Sequence, residues 1–78
     1  MKKPVLIEWI DSNASMGGWG KPSARTLRPA TCVSVGLLIR KTREHVTLAM
    51  STDGTNVLHT LTIPRLLIRG GIRKLKLR

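Results

Sequence analysis

Three stretches of the chain alternate apolar and polar residues with period two, and this pattern constrains the fold more than any other feature. They are residues 31–40, 45–50 and 57–63. Because successive side chains of a β-strand point to opposite faces, such alternation is typical of half-buried strands. A polar turn separates the first two stretches, and Asp53-Gly54, a strong hairpin signal, separates the second from the third. The sequence therefore predicts an antiparallel meander of three strands.

The core-facing side of each predicted strand follows from the same alternation. One face of each stretch is rich in branched and other apolar side chains, and we expect that face to be buried. The predicted core residues are Val33, Val35, Leu37 and Ile39 in the first stretch, Val46, Leu48 and Met50 in the second, and Val57, Leu61 and Ile63 in the third.

Two further strands are predicted on either side of the meander. Residues 5–10 are rich in β-branched and aromatic types, and a long connection containing Gly, Ser and Pro follows at residues 14–29. Pro64 lacks an N–H and ends the meander, and one helical turn follows at residues 66–68. After Gly70-Gly71, a last strand from Ile72 places apolar and cationic residues on opposite faces: Leu75 and Leu77 on one, Lys74, Lys76 and Arg78 on the other.

These elements predict an all-β fold in a single domain, residues 1–78. Short strands, tight hairpins and a single-turn helix before the last strand are typical of a small five-stranded barrel or a strongly bent sheet. A barrel would also protect the edges of the terminal strands. No apolar run approaches the roughly 20 residues of a membrane span, so we expect no membrane association.

Catalytic and metal-binding residues are few. The single Cys32 lies in an apolar strand, which favours a buried small hydrophobe over a nucleophile. With only two histidines in addition, we expect neither a metal nor another cofactor. None of the acids pairs with a histidine in a recognisable acid–base arrangement, so the chain is predicted not to be an enzyme. The acids are Glu8, Asp11, Glu44 and Asp53.

The net charge of +10 points to an anionic partner. A small domain with 14 Lys and Arg residues has a strong positive potential, which attracts nucleic acid or nucleotides without any motif. The alternative is a basic surface that serves solubility or meets an acidic protein.

A first candidate binding site surrounds Trp19, which lies among glycines in the long connection. An exposed indole could stack on a base while Lys21, Arg25 and Arg28 contact phosphates. The alternative is that Trp19 folds back and caps the barrel, because large aromatic side chains are usually mostly buried. Trp9, within a strand, is predicted to belong to the core.

A second candidate site lies near the final strand. Arginine forms bidentate contacts with phosphate, and Gly70-Gly71 would make backbone N–H groups accessible to an anion. The alternative is a solvated cationic face, which we also expect for Arg40, Lys41 and Arg43. The residues of this second site are Arg65, Arg69, Arg73, Lys74 and Lys76, with Arg78 beside them.

Two resemblances add to these predictions. Leu66-Leu-Ile-Arg-Gly-Gly-Ile72 is similar to the second signature of Sm-like proteins, and the order of elements resembles SH3-like and Sm-like small barrels. Residues 36–50 lack the Asp and Asn of the first Sm signature, so uridine recognition of the Sm kind is not expected. A longer set of motifs resembles small uncharacterised bacteriophage and prophage proteins: Trp9-Ile-Asp-Ser, Gly18-Trp, Pro29-Ala-Thr-Cys-Val-Ser-Val-Gly36, Val46-Thr-Leu-Ala and Thr62-Ile-Pro-Arg65.

Three functional hypotheses follow. The first is non-catalytic binding of nucleic acid through the basic face, with little base specificity. The second, drawn from the phage resemblance, is an anti-defence protein that sequesters a small nucleotide signal. The third is an adaptor that binds an acidic host protein. The resemblance implies a bacterial cytoplasm, and homo-oligomerisation is a further hypothesis because so few aromatic residues limit what one copy can bury.

Overall fold

The computed structural model describes residues 3–12, 19–20 and 28–76. These residues form five strands and one short 3-10 turn, all strands pairing antiparallel. The prediction of an all-β chain is confirmed for this part of the sequence. The elements are β1 (Pro4–Asp11), β2 (Ala30–Lys41), β3 (His45–Thr52), β4 (Val57–Pro64), the 3-10 turn (Arg65–Leu67) and β5 (Ile68–Lys74).

The sheet is strongly curled but remains open. Its strand order is β4-β3-β2-β1-β5, so β4 and β5 lie at opposite edges. Across a flat sheet these edges would be about 19 Å apart, at roughly 4.8 Å per strand. The 3-10 turn that joins them rises only about 2 Å per residue, so the edges must approach each other there. No ladder between β4 and β5 occurs among the described strands, so the predicted closure into a barrel is not observed.

Strand β2 is shared between two halves of the sheet. Its first part pairs with β1, from Ala30 opposite Asp11 to Leu37 opposite Pro4. Its last part pairs with β3, starting where Leu37 lies opposite Ala49, and a register shift after Leu38 bends the strand. Within the described part of the chain, residues 30–36 therefore have ladder partners only in β1.

The core lies inside the curl and is small. Its buried side chains come from β1, β3 and β4, and Trp9 packs against them as a half-buried residue, in partial agreement with its predicted core position. Five residues at most 3% exposed form the cluster: Val5, Ile7, Val46, Leu48 and Ile63.

The predicted inward face of β2 is wrong for the first part of the strand, whereas Leu37 and Ile39 are half-buried. Val33 and Val35 are 61% and 59% exposed, whereas the inner face carries small residues. The physical reason is that Trp9 fills the space above β2 and its indole Nε1 donates a 2.9 Å hydrogen bond to Ser34 Oγ. At Gly36, β3 comes so close that a Cβ would lie 3.0 Å from the Ala49 oxygen.

The predicted burial of three residues in β3 and β4 is also wrong. Met50, Val57 and Leu61 are exposed, because the hairpin extends past the core toward its Asp53-Gly54 turn. Of the residues predicted inward in β4, only Ile63 is fully buried.

Strand β5 starts earlier than predicted. Gly70 and Gly71 lie within it as a two-residue bulge, both with positive φ, while Glu8 opposes Arg69 and its neighbour Ile7 opposes Ile72. The strand ends at Lys74, so the alternation predicted for residues 74–78 does not continue through residues 75–76, and residues 77–78 lie outside the described part. The predicted helical turn is confirmed as a 3-10 turn that starts one residue earlier, at Arg65, and Ile68 already belongs to β5.

Within the described ranges, no helix has the length and apolar character needed to cross a membrane.

Candidate functional site

Three cations from separate elements meet beside the β2–β3 turn. Lys41 ends β2, Arg43 lies in the turn, and Arg65 begins the 3-10 turn. All three side chains are exposed, and with Thr42 they line one shallow depression of about 570 Å³. We call Lys41, Arg43 and Arg65 the Arg65 cluster.

Thr42 fixes the geometry of the turn. Its Oγ1 accepts hydrogen bonds from the backbone N–H groups of Glu44, at 3.2 Å, and His45, at 3.0 Å. Its own backbone N–H donates to the His45 oxygen at 2.9 Å. A threonine hydroxyl that bonds the backbone two and three residues ahead is a common way to stabilise a turn. The neighbouring cations, Lys41 and Arg43, are thereby attached to a fixed backbone.

Arg65 is held to this turn by two hydrogen bonds. Its backbone N–H donates to the backbone oxygen of Glu44 at 2.8 Å. Its Nε donates to the backbone oxygen of Thr42 at 2.6 Å. No hydrogen bond is made by either Nη group within the described residues. The guanidinium is therefore oriented by one edge while its other donors remain available, which suits bidentate binding of a phosphate.

The remaining predicted cations of the second site do not join Arg65. Arg69 and Arg73 lie on β5, opposite Glu8 and Leu6 of β1. The Arg73 guanidinium extends over Gly70, where its Nη2 would be 2.7 Å from an added Cβ. The predicted anion site at Gly70-Gly71 is thus covered on one side by an arginine of the same strand.

Lys74 and Lys76 contribute to another depression, together with Lys3. It is lined by these lysines with Pro4 and Leu75, whose backbone N–H donates to the Pro4 oxygen at 3.1 Å. The sequence did not indicate Lys3, because its approach to Lys74 depends on the pairing of β1 with β5. The single predicted cluster is therefore distributed over three places.

Trp19 is fully exposed, at 107% of its reference area. The prediction that it caps the core is wrong for this structure, because a capping indole would be covered. Stacking on a base stays a prediction. Arg28 is exposed, whereas Lys21 and Arg25 lie outside the described residues.

A further depression, apolar in character, opens where β2 and β3 diverge. Its walls include Val35, Met50 and Leu61, and His59 lies beside them with φ of 51°. Left-handed backbone at a non-glycine residue costs roughly 1–2 kcal/mol. Neither this depression nor the left-handed backbone of His59 was predicted from the sequence, because nothing in the composition of β4 indicates them.

Cys32 is half-buried, and its Sγ lies 3.9 Å from the Ala30 oxygen, to which it donates a weak hydrogen bond. In the described part of the chain, no three His, Cys, Asp or Glu side chains are grouped so that they could hold a metal ion.

Comparison with known proteins finds no matching family model, no matching curated protein and no matching solved structure.

Proposed function

We propose that this chain is a non-catalytic binding protein for nucleic acid, which it holds by the phosphate backbone with little base specificity. The observation that carries the proposal is the Arg65 guanidinium, which is oriented by the hydrogen bond from its Nε to the Thr42 backbone oxygen and has both Nη groups available. Lys41 and Arg43 stand beside it, so several phosphates of one strand could be contacted together.

The shape of the site favours a polymer over a small nucleotide. Small-molecule sites usually bury 70–90% or more of the ligand. The depression at the Arg65 cluster is shallow, and the other exposed cations lie in separate places along the surface. An extended polyanion can reach several such places at once, whereas one nucleotide cannot. Trp19, which is fully exposed, is a candidate stacking platform for an unpaired base.

The fold supports an assignment to the SH3-like or Sm-like small barrels, which we include in the proposal. The strand order and the 3-10 turn between β4 and β5 support it. The phage relationship and the bacterial cytoplasm remain predictions from sequence resemblance.

The test is fluorescence anisotropy of labelled single-stranded and duplex oligonucleotides, measured over a series of salt concentrations. Lys41→Gln with Arg43→Gln removes two charges from the Arg65 cluster, and neither side chain makes a hydrogen bond within the described residues. We expect weaker binding and a slope of log K against log salt that is shallower by roughly 0.9 per lost contact for duplex DNA. Arg65 is kept, because its Nε also supports the turn.

The matched control is Lys74→Gln with Lys76→Gln, which removes the same charge elsewhere. We expect a smaller effect on the slope, since these lysines contribute mainly to the general potential. Equal effects of the two variants would show that net charge, not the Arg65 cluster, determines binding. No binding to any oligonucleotide at low salt would refute the proposed function.

A further inference from the structure

The apolar depression where β2 and β3 diverge belongs to none of the cationic sites. Its walls include Val35, Met50 and Leu61, which are 59%, 63% and 40% exposed. Its volume is about 390 Å³, close to the lower end of the roughly 300–1,000 Å³ that small-molecule sites occupy. Apolar side chains left exposed around a concave surface are typical of a place where a ligand binds. The size suits a single ring system better than a larger molecule.

Charge limits what this depression can bind. None of the described residues that line it is Lys, Arg, Asp or Glu, although the chain has a net charge of +10. Phosphates and other anions are drawn to the cationic surfaces, of which the Arg65 cluster is one. An uncharged and largely apolar group is therefore the chemistry that fits the depression.

His59 adds an aromatic ring to the lining. Its side chain is exposed, and its φ of 51° is a conformation that glycine adopts freely and a residue with a side chain adopts at a cost. Residues held in such conformations cluster at active sites and ligand-binding sites. An imidazole can stack on another ring and can also form a hydrogen bond to the edge of that ring. The strained position thus carries a side chain that suits a flat ring with polar edges.

We infer that this depression binds one unpaired nucleobase of a single-stranded nucleic acid. The inference rests on the proposed function, because the phosphate contacts bring the strand to this surface. A base is an uncharged planar ring with hydrogen-bonding edges, and every base has a π-face, so stacking tolerates any sequence. In a duplex the bases are paired and stacked on one another, and a base must first leave the stack to enter a site of this kind.

The depression and the Arg65 cluster lie within reach of one strand. Leu61 and Arg65 are four residues apart along β4 and the start of the 3-10 turn, so their Cα atoms are separated by at most about 14 Å. At 3.4 Å or more per nucleotide, about four nucleotides cover that distance. Single-stranded sites in small β-barrel domains span roughly 4–16 nucleotides. Phosphates at the Arg65 cluster and a base in the depression can therefore belong to one short segment.

Removing the bases from the ligand tests the inference. Fluorescence anisotropy at low salt compares a labelled oligothymidylate of about 12 nucleotides with an abasic strand of the same length and the same phosphates. Loss of one stacked base lowers affinity by roughly 5- to 150-fold, and we expect a decrease in this range for the unmodified chain.

Two variants assign the effect to the depression. Met50→Ser removes an apolar wall, and His59→Gly removes the ring while allowing the left-handed backbone. In each variant the ratio of the two affinities should fall at least about threefold, because part of one stacking contact is lost. Leu58→Ser is the matched control, at a 52% exposed residue of β4 that does not line this depression, and it should leave the ratio unchanged. All three side chains are exposed, so circular dichroism should show an unchanged fold.

Photo-cross-linking locates the bound base. A strand that contains 4-thiothymidine is irradiated in complex with the full chain, the protein is digested, and the cross-linked peptides are identified by mass spectrometry. We expect cross-links in the peptides that contain Met50 or His59.

Three results would overturn the inference. They are equal affinities for the natural and abasic strands, an unchanged ratio in both the Met50→Ser and His59→Gly chains, and cross-links confined to the peptide of Trp19. The proposed function fails differently, by an absence of binding to either strand at low salt. Lys41→Gln with Arg43→Gln should weaken binding of both strands alike, since it removes phosphate contacts only. Tight binding of the abasic strand would therefore refute the base site and leave the phosphate contacts in place.

Discussion

Replacing Gly36 by alanine tests the close approach of β2 to β3. The added Cβ would lie 3.0 Å from the Ala49 oxygen and 3.1 Å from Leu48 Cβ, whereas ordinary contacts begin near 3.4 Å. Neither atom is the end of a flexible side chain, and Ala49 is held in the ladder opposite Leu37. Relief would therefore require β3 to move by a few tenths of an ångström relative to β2.

The magnitude follows from two opposing effects. Overpacking of a well-packed site costs roughly 1–3 kcal/mol. Loss of glycine flexibility in the unfolded chain offsets roughly 0.4–1 kcal/mol of this. A net loss of about 1–2 kcal/mol is large for a chain of 78 residues, whose free energy of unfolding is expected to be roughly 4–12 kcal/mol.

Thermal unfolding followed by circular dichroism measures the effect of Gly36→Ala. At roughly 4–8 °C per kcal/mol for a domain of this size, the midpoint should fall by about 4–16 °C. Gly20→Ala is the matched control, since an added Cβ there meets nothing within 4 Å, and its midpoint should not change. If both variants unfold at the wild-type temperature, the reasoning about a tight β2–β3 approach is refuted.

Two other predictions concern His59 and Asp53. The backbone of His59 is left-handed, with φ of 51°, which a β-branched residue adopts at a cost and glycine adopts freely. His59→Val should therefore lower the free energy of unfolding by about 1–2 kcal/mol, whereas His59→Gly should not. Equal urea midpoints for the two variants would argue against backbone strain at this residue. Hydrogen bonds from the backbone N–H groups of Asn56 and Thr55 lower the pKa of Asp53 below its ordinary value of 3.8. The stability that this carboxylate contributes is therefore present above pH 3.8 and lost as the pH falls from there through the lower folded pKa. The stability difference between wild type and Asp53→Ala, from urea unfolding, should shrink in that window; a constant difference would contradict this.

The sequence allowed the strands to be located but not all of their faces to be assigned. Period-two alternation and the Asp53-Gly54 turn predicted the meander, because both signals are local. The inner face of β2 could not be found this way. It is determined by Trp9 and by the approach of β3 at Gly36, and both contacts are distant in sequence. The prediction for Val33 and Val35 was wrong because it assumed that the apolar face of an alternating strand is the buried one.

The candidate site shows the same limit. Arg65 was predicted as an anion ligand, but Lys41 and Arg43 were interpreted as merely solvated. Only the path of the 3-10 turn brings these residues together. Composition predicted a cationic surface, and the assembly of its cations into sites depends on tertiary contacts that no local pattern contains.

The position of β1 has a consequence for how the chain folds. In the sheet, β1 lies between β2, which follows it in sequence, and β5, which comes last among the described strands. The ladder between β1 and β5 can therefore form only after β5 is available. The meander of β2, β3 and β4 can form from local hairpins, but the buried Val5 and Ile7 need a partner strand, β5, that is remote in sequence. Remote pairing slows folding because a long loop must close before the contacts form. During synthesis, the apolar β1 therefore remains without its second neighbour until β5 has emerged.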